Sequence, residues 1–288
     1  MRTSGERLYH GITGFILVLA AVTCLLPMVH VLSVSLSSPH AVTSGLVTLW
    51  PRGWTLESYE LLFRGSKIVH ALQNSVIITV VGVVLSMVFT VLAAYPLSRS
   101  YFYCRRFFTM ATVFTMLFSG GLIPTYLLLK SLGLINTYGA LWLPGLISTF
   151  NMLVMRTYFD GIPEELDDAA RMDGCGEWRF LLQIILPLSL PVIATLSVFY
   201  AVGYWNAFFS LLIYINQTDK YNLTVLVQQM NQSQSLMQEM NASDMQASIT
   251  PEGIKTAGIV VLVVPMLMVY PFLQKYFVKG VLIGAIKG

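Results

Sequence analysis

The chain has 288 residues, of which 56% are hydrophobic and only 11% charged, with a net charge of +3. A soluble domain carries about 25% charged residues, and one of this size has no core large enough to hide so much apolar surface. This excludes a soluble globular enzyme, a disordered chain and a secreted disulfide scaffold, and leaves an all-α, polytopic integral membrane protein. The charge is too small for nucleic-acid binding, and no stripe of basic and aromatic residues supports it. Cys24, Cys104 and Cys175 are scattered, form no CxxC and read as ordinary structural cysteines.

Six long windows free of Asp, Glu, Lys and Arg each accommodate one helix, since a crossing takes about 20 predominantly apolar residues. The expected spans are 11–36, 71–97, 107–129, 138–158, 188–213 and 257–277. Barrel strands would alternate apolar and polar residues, and stretches such as 76–94 do not. The first span follows two arginines, as a signal peptide would, but its apolar run is longer than an h-region and reads as a retained helix. The outer loop 37–69 holds Trp50, Pro51 and Trp54, with the tryptophans suited to interfacial anchoring. The segment 216–255 is rich in Gln, Asn, Met and Ser and is expected to be a long extracellular loop. Asn241 opens a three-residue glycosylation sequon, a match common by chance. His10, His30, His40 and His70 lie far apart along the chain and suggest no metal site. Orientation follows the Lys/Arg bias of the short loops. Arg2, Arg7, Arg99, Arg105, Arg106, Arg156, Arg171, Arg179, Lys275, Lys279 and Lys287 collect on one side, which places that side and both termini in the cytoplasm.

The inner loop 160–187 differs from the rest. Asp160, Glu164, Glu165, Asp167, Asp168, Asp173 and Glu177 make up seven of the fourteen acids in the chain. Pro163 followed by two glutamates favours a helix start, and Gly174 a stop, so a short helix is expected over 163–173. Leu166, Ala169, Ala170 and Asp173 share one of its faces, and the alanines make a flat patch open to close approach. Surface-seeking helices favour Lys and Arg, and the inner leaflet is negative, so this acidic helix suits a protein partner better than lipid. A second short helix is expected over 177–185, ended or kinked by Pro187 and Pro191.

Asp168-Ala169-Ala170, Gly174, Ile184, Leu186 and Pro187 fit the spacing E-A-A-x3-G-x9-I-x-L-P, with Asp in place of the first Glu. This resembles the EAA signature of the permease subunits of binding-protein-dependent ABC importers. The run Tyr204-Trp205-Asn206 and the C-terminal stretch from Tyr270 are similar to the carbohydrate type. They most resemble the maltose G-type permeases, in the complex-oligosaccharide branch of Gram-positive bacteria. The resemblance implies a single permease domain over 1–288 with the type I importer fold, in a bacterial cell membrane. It implies a second, homologous permease subunit, two cytoplasmic ATPase subunits, an extracellular solute-binding lipoprotein and a sugar or oligosaccharide cargo. On that resemblance Glu165, Asp168, Ala169, Ala170, Asp173 and Gly174 couple to an ATPase, and Leu186 and Pro187 orient the next helix.

The chain carries no G-x-x-x-x-G-K-[ST], so ATP and magnesium are expected on the ATPase subunits and no cofactor on this chain. No paired carboxylates, metal-ligand cluster or nucleophile elbow suggests an enzyme. An ATP-independent carrier would need ionisable groups inside its spans, and the six windows hold none. A membrane scaffold, or an importer of another solute class, is the alternative reading. For the substrate path the candidates are Asn74, Asn151, Tyr204, Trp205 and Asn206. Asn206 is read equally well as lining a wet path or as holding helices together.

Overall fold

The computed structural model describes residues 4–65, 67–240 and 251–285. The termini, including Arg2 and Lys287, and the Asn241 sequon lie outside them. Fifteen α-helices follow in chain order among the described residues. They are α1 Ser4–Ser35, α2 Pro39–Thr43, α3 Glu57–Gly65, α4 Ile68–Ser98, α5 Arg105–Leu117, α6 Leu122–Ser131, α7 Gly139–Trp142 and α8 Thr149–Asp160. Then come α9 Glu164–Met172, α10 Glu177–Phe180, α11 Leu186–Leu188, α12 Leu190–Trp205, α13 Phe209–Tyr214, α14 Leu223–Met240 and α15 Pro251–Ala285. One π-helical turn, Leu181–Ile185, joins α10 to α11.

Three helical stretches are long and apolar enough to cross a membrane: Tyr9–Ser35, Ile68–Ser98 and Glu252–Val269. Two further crossings arise if each of two bent pairs is counted as one, α5 with α6 (112°) and Glu177–Leu188 with α12 (80°). The expected span 138–158 is not one helix. It is divided into α7 and α8, and Pro144-Gly145 lies in the gap, where the missing N–H and the flexible backbone end a helix. The expected span 107–129 likewise breaks before Gly121, whose φ of +87° suits glycine.

The chain forms two compact units, one from α1–α3 with residues 226–265, the other from residues 70–225 with those from 266 on. In the first unit the described side chains of α1 are almost all exposed through its apolar length, as expected of a helix facing lipid or another subunit. Its last turn is tied to the chain beyond it through serines. Ser33 Oγ donates to Leu49 O (2.7 Å), and Ser37 Oγ accepts from Arg52 N (3.0 Å). Gly53 makes this turn possible: its φ is +66°, and a Cβ there would lie 2.7 Å from Ser38 Oγ. Trp50 and Trp54 are exposed, and His30 Nδ1 meets Thr48 O at 2.7 Å.

In the second unit α4 is the central rod. At about 1.5 Å per residue its 31 residues extend beyond a ~30 Å hydrocarbon layer. Ile78, Met87, Val91 and Ala94 are buried, whereas Val80, Val84, Val88 and Leu92 are exposed. Two hydroxyl pairs fasten it to α12: Ser86 Oγ with Tyr204 Oη (2.8 Å) and Thr90 Oγ1 with Tyr200 Oη (2.7 Å). Gly82 admits the Tyr204 ring, which a Cβ would meet at 2.7 Å.

The polar segment expected to be wholly loop holds α14. Asn222 explains the difference. Its Oδ1 accepts from Val225 N (2.9 Å), an N-cap bond, and its Nδ2 donates to Ala207 O (2.8 Å). Leu223, Val225 and Val227 are buried behind that cap.

Candidate functional site

The acid-rich segment folds as its local chemistry dictates. α9 covers Glu164–Met172, against an expected 163–173, with Pro163 at the N-cap and Glu164, Glu165 and Asp167 in the first turn. These acids complement the positive helix start, and Arg171 complements the end. The stop is a Schellman motif: Cys175 N donates to Ala170 O (2.9 Å) and Gly174 N to Arg171 O (3.0 Å). Gly174 sits at φ +72°, the left-handed conformation this motif demands.

The exposed surface of α9 carries Glu165, Asp168, Ala169 and Met172, followed by Asp173 and Gly174, all free of burial by this chain. Ala170 differs. It is 6% exposed and belongs to the core with Phe159, Phe180 and Leu181. Of the three-residue Asp-Ala-Ala run, one alanine therefore seats the helix on its own subunit, while Asp168 and Ala169 face outward. Met172 is 88% exposed and Trp178 68%, apolar surface beside an acidic helix. Pro187 lies within α11, just before the sharp bend at Ser189, and Leu186 is half-buried against the core.

Tyr95, Tyr101 and Phe180, none of them expected from sequence, join charged residues of the inner loops to hold this segment. Glu177 accepts from Tyr95 Oη (2.7 Å), from Tyr101 Oη (2.9 Å) and from Arg171 Nη2 (3.1 Å). Arg171 also pairs with Asp167 (3.2 Å) and lies over the Tyr101 ring (4.8 Å). Burial, the hydrogen bond to Glu177 and that carboxylate's charge raise the Tyr101 phenol above its usual range, so it stays a donor. Arg99 is buried between the rings of Tyr95 (4.7 Å) and Phe180 (5.5 Å). Its Nε and Nη2 find no hydrogen-bond partner among the described residues. Nearby, Arg105 pairs with Asp160 at 2.9 Å. A cleft of about 230 Å³ opens here, with Arg99, Asp160, Asp167 and Asp168 among its lining residues. The signal that could have found the aromatic partners is the run of Tyr and Arg just after α4.

The substrate-path candidates do not converge. Asn74 is buried and its Nδ2 donates to Asp219 O (2.8 Å) and Tyr221 O (3.0 Å). Asn151 is buried in the first turn of α8. Tyr204 is buried against Gly82 and Ser86, and Trp205 is 5% exposed, its carbonyl accepting from Thr224 Oγ1 (3.0 Å). Asn206 alone of the five is exposed; it caps α12, its Nδ2 donating to Val202 O (3.0 Å). Exposed Phe209 follows it. Among the described residues no group of His, Cys, Asp and Glu could hold a metal ion.

Among the described residues the regular structure is helical, with helices apolar enough to cross a membrane and the acidic α9 exposed between two of the candidate crossings, the arrangement of a polytopic membrane protein. The family model for binding-protein-dependent transport system inner membrane components matches residues 77–283, and the chain belongs to that family. It is thus the membrane-embedded permease subunit of an ABC-type importer, and not an enzyme. It is 43% identical to the polygalacturonan/rhamnogalacturonan transport system permease protein YtcP of Bacillus subtilis (strain 168), over 96% of this chain and 97% of that one. It is 42% identical to the protein LplC of the same organism, over 92% and 90%. Its fold is similar to a chain in the crystal structure of a bacterial ABC transporter involved in the import of the acidic polysaccharide alginate. The TM-score is 0.86 at 29% identity, covering 96% of this chain and 99% of that one.

Proposed function

We propose that this permease passes carboxylate-bearing oligosaccharides and that α9 is its seat on a cytoplasmic ATPase subunit. The observation that carries the second part is the division of α9. Ala170 anchors it to this chain, while Glu165, Asp168, Ala169 and Met172 are left outward on a nine-residue helix. A helix so short is marginal alone and needs something to pack on; this chain supplies that at Ala170, and the opposite face is left for a partner. In this reading ATP and magnesium belong to two ATPase subunits, whose closure pushes on α9. A second, homologous permease completes the path, and an extracellular binding lipoprotein delivers cargo. In this reading the side bearing α9 is the cytoplasmic one, which suits the excess of Lys and Arg assigned to it.

The cargo class rests on the relatives, two of which are named for acidic polysaccharides. The middle of α4 and of α12 offers such a cargo no cation, since 71–97 and 188–213 lack Lys and Arg. Neutral groups such as the Asn206 amide would contact the sugar, and the negative charge would be recognised before entry, on the binding protein. The test is uptake of radiolabelled oligogalacturonides and of neutral malto-oligosaccharides by the reconstituted complex. ATP-dependent uptake of the acidic probe alone is expected, and uptake of the neutral one alone would overturn the cargo class. For the seat, Asp168→Lys reverses an exposed charge without touching the fold. It should lower ATPase co-purification, and wild-type recovery of ATPase would sink this assignment.

A further inference from the structure

The coupling segment is joined by the chain only to α8 and to the turn leading into α12. α4 lies far away in sequence, with Tyr95 82 residues before Glu177. Any push on α9 reaches α4 through noncovalent contacts alone. The end of α4 meets the segment through shared apolar core and, among side-chain hydrogen bonds, at one carboxylate. Glu177 gathers two phenol donors, from Tyr95 at the end of α4 and Tyr101 just past it, and one guanidinium donor, from Arg171 on α9. Beside it, the Arg99 guanidinium is sandwiched between Tyr95 of α4 and Phe180 of α10. Higher on the same rod, Ser86 and Thr90 bond to the tyrosines of α12. The contacts thus run without interruption from α9 to the middle of the helices.

We propose that Glu177 is a positioning residue for transport, clamping the coupling helix to the inner end of α4 so that the two move as one body. This rests on the coupling reading above. A carboxylate suits the task because it accepts several hydrogen bonds at once, and charge-assisted bonds are the stronger ones. The arms are unequal. Glu177 and Arg171 are each about half exposed at the side chain (51% and 50%), so solvent screens their ion pair. The Tyr95 bond is partly buried and carries more of the grip. Glu177→Gln keeps the shape but loses the charge and one acceptor.

The test uses the whole importer with its ATPase subunits, carrying nitroxide labels at Tyr103→Cys and Leu182→Cys. Both positions are exposed and lie outside the clamp. Cys24, Cys104 and Cys175 are replaced by serine. Label separations are read by double electron–electron resonance without nucleotide and with ATP, magnesium and vanadate. In the wild type one narrow separation should persist in both states. In Glu177→Gln a second separation should appear with nucleotide, its share about tenfold that in the wild type, from the loss of a charge-assisted hydrogen bond. Tyr101→Phe, a milder change, should show the same effect at smaller amplitude, and serves if Glu177→Gln does not fold. The clamp is overturned if the wild-type separation changes with nucleotide or if both variants match the wild type. It is also overturned if the second separation is already present without nucleotide, since that marks a structural weld only. Failure of the coupling reading looks different: ATPase subunits would not co-purify with the wild-type chain, and both proposals would fall together.

Discussion

Gly174 offers a separation of two roles that the same residue could serve, ending α9 and leaving room for a docked partner. Its φ is +72°, and a Cβ built there meets nothing within 4 Å. Within this chain, therefore, a side chain costs only what the left-handed backbone costs. For a β-branched residue that is about 1–2 kcal/mol. For asparagine it is much less, and restricting the unfolded chain returns about 0.4–1 kcal/mol where the conformation is tolerated. Gly174→Asn should leave the unfolding temperature of the purified permease within error of wild type, and Gly174→Val should lower it. Both add bulk to the same exposed surface, so both should weaken ATPase recovery if the partner seats there. Stability is read by thermal unfolding in detergent and docking by co-purification of ATPase. Equal stability of the two variants would refute the claim that the turn needs glycine. Full recovery of ATPase with Gly174→Asn would refute the claim that the seat needs the space.

Further substitutions probe the packing of α4 against α12 and the cap of α14. Gly82→Ala places a methyl 2.7 Å from the Tyr204 ring, and overpacking of about 1–3 kcal/mol should exceed the ~1 kcal/mol gained in helix propensity. Thermal unfolding should show the loss, and Tyr204→Leu in the same chain should restore part of it. Tyr200→Phe should cost more than Tyr204→Phe. The Tyr200 hydroxyl serves both Thr90 and the backbone N–H of Ser148 (2.9 Å), whereas the bond found at the Tyr204 hydroxyl is that to Ser86. The difference should be on the order of 1 kcal/mol, checked in the same unfolding assay. Asn222→Ala removes the α14 cap and a bond to Ala207, so a loss of at least about 1 kcal/mol and faster proteolysis near Leu223 are expected.

What could be read from the sequence was what short-range chemistry decides. Pro163, the acids after it and Gly174 fix α9 within a turn or two, because caps, dipole and left-handed stop act over a few residues. Charge-free windows located the apolar segments but were blind to breaks inside them. Pro144-Gly145 carries no charge, and so α7 and α8 read as one span. The reverse error befell α14, where Gln, Asn and Ser outweighed the signal of Asn222 as a cap before buried Leu223, Val225 and Val227. The polar residues within the apolar segments showed the deepest limit. An amide there must find a partner or water, but sequence does not say which. Asn74 found the backbone of Asp219 and Tyr221, while Asn206 stayed exposed at the end of α12.

The same distinction bears on how such a subunit works. Contacts set by neighbours in sequence give α9 its start and its stop. Contacts set by the fold decide what is carried with it. Ala170 against the core, Arg99 between two rings and Glu177 among its three donors all join α9 or its sequel to elements distant in the chain. Two of these three contacts are polar or charged, and the third is close-packed apolar core that cannot open without leaving a void. Arg99, whose guanidinium is packed between two rings, also lines a cleft with Asp160, Asp167 and Asp168 beside these contacts. If the Glu177 clamp holds, these contacts carry α9 and the end of α4 together, and a push on the exposed face of α9 reaches α4 without first loosening the joint.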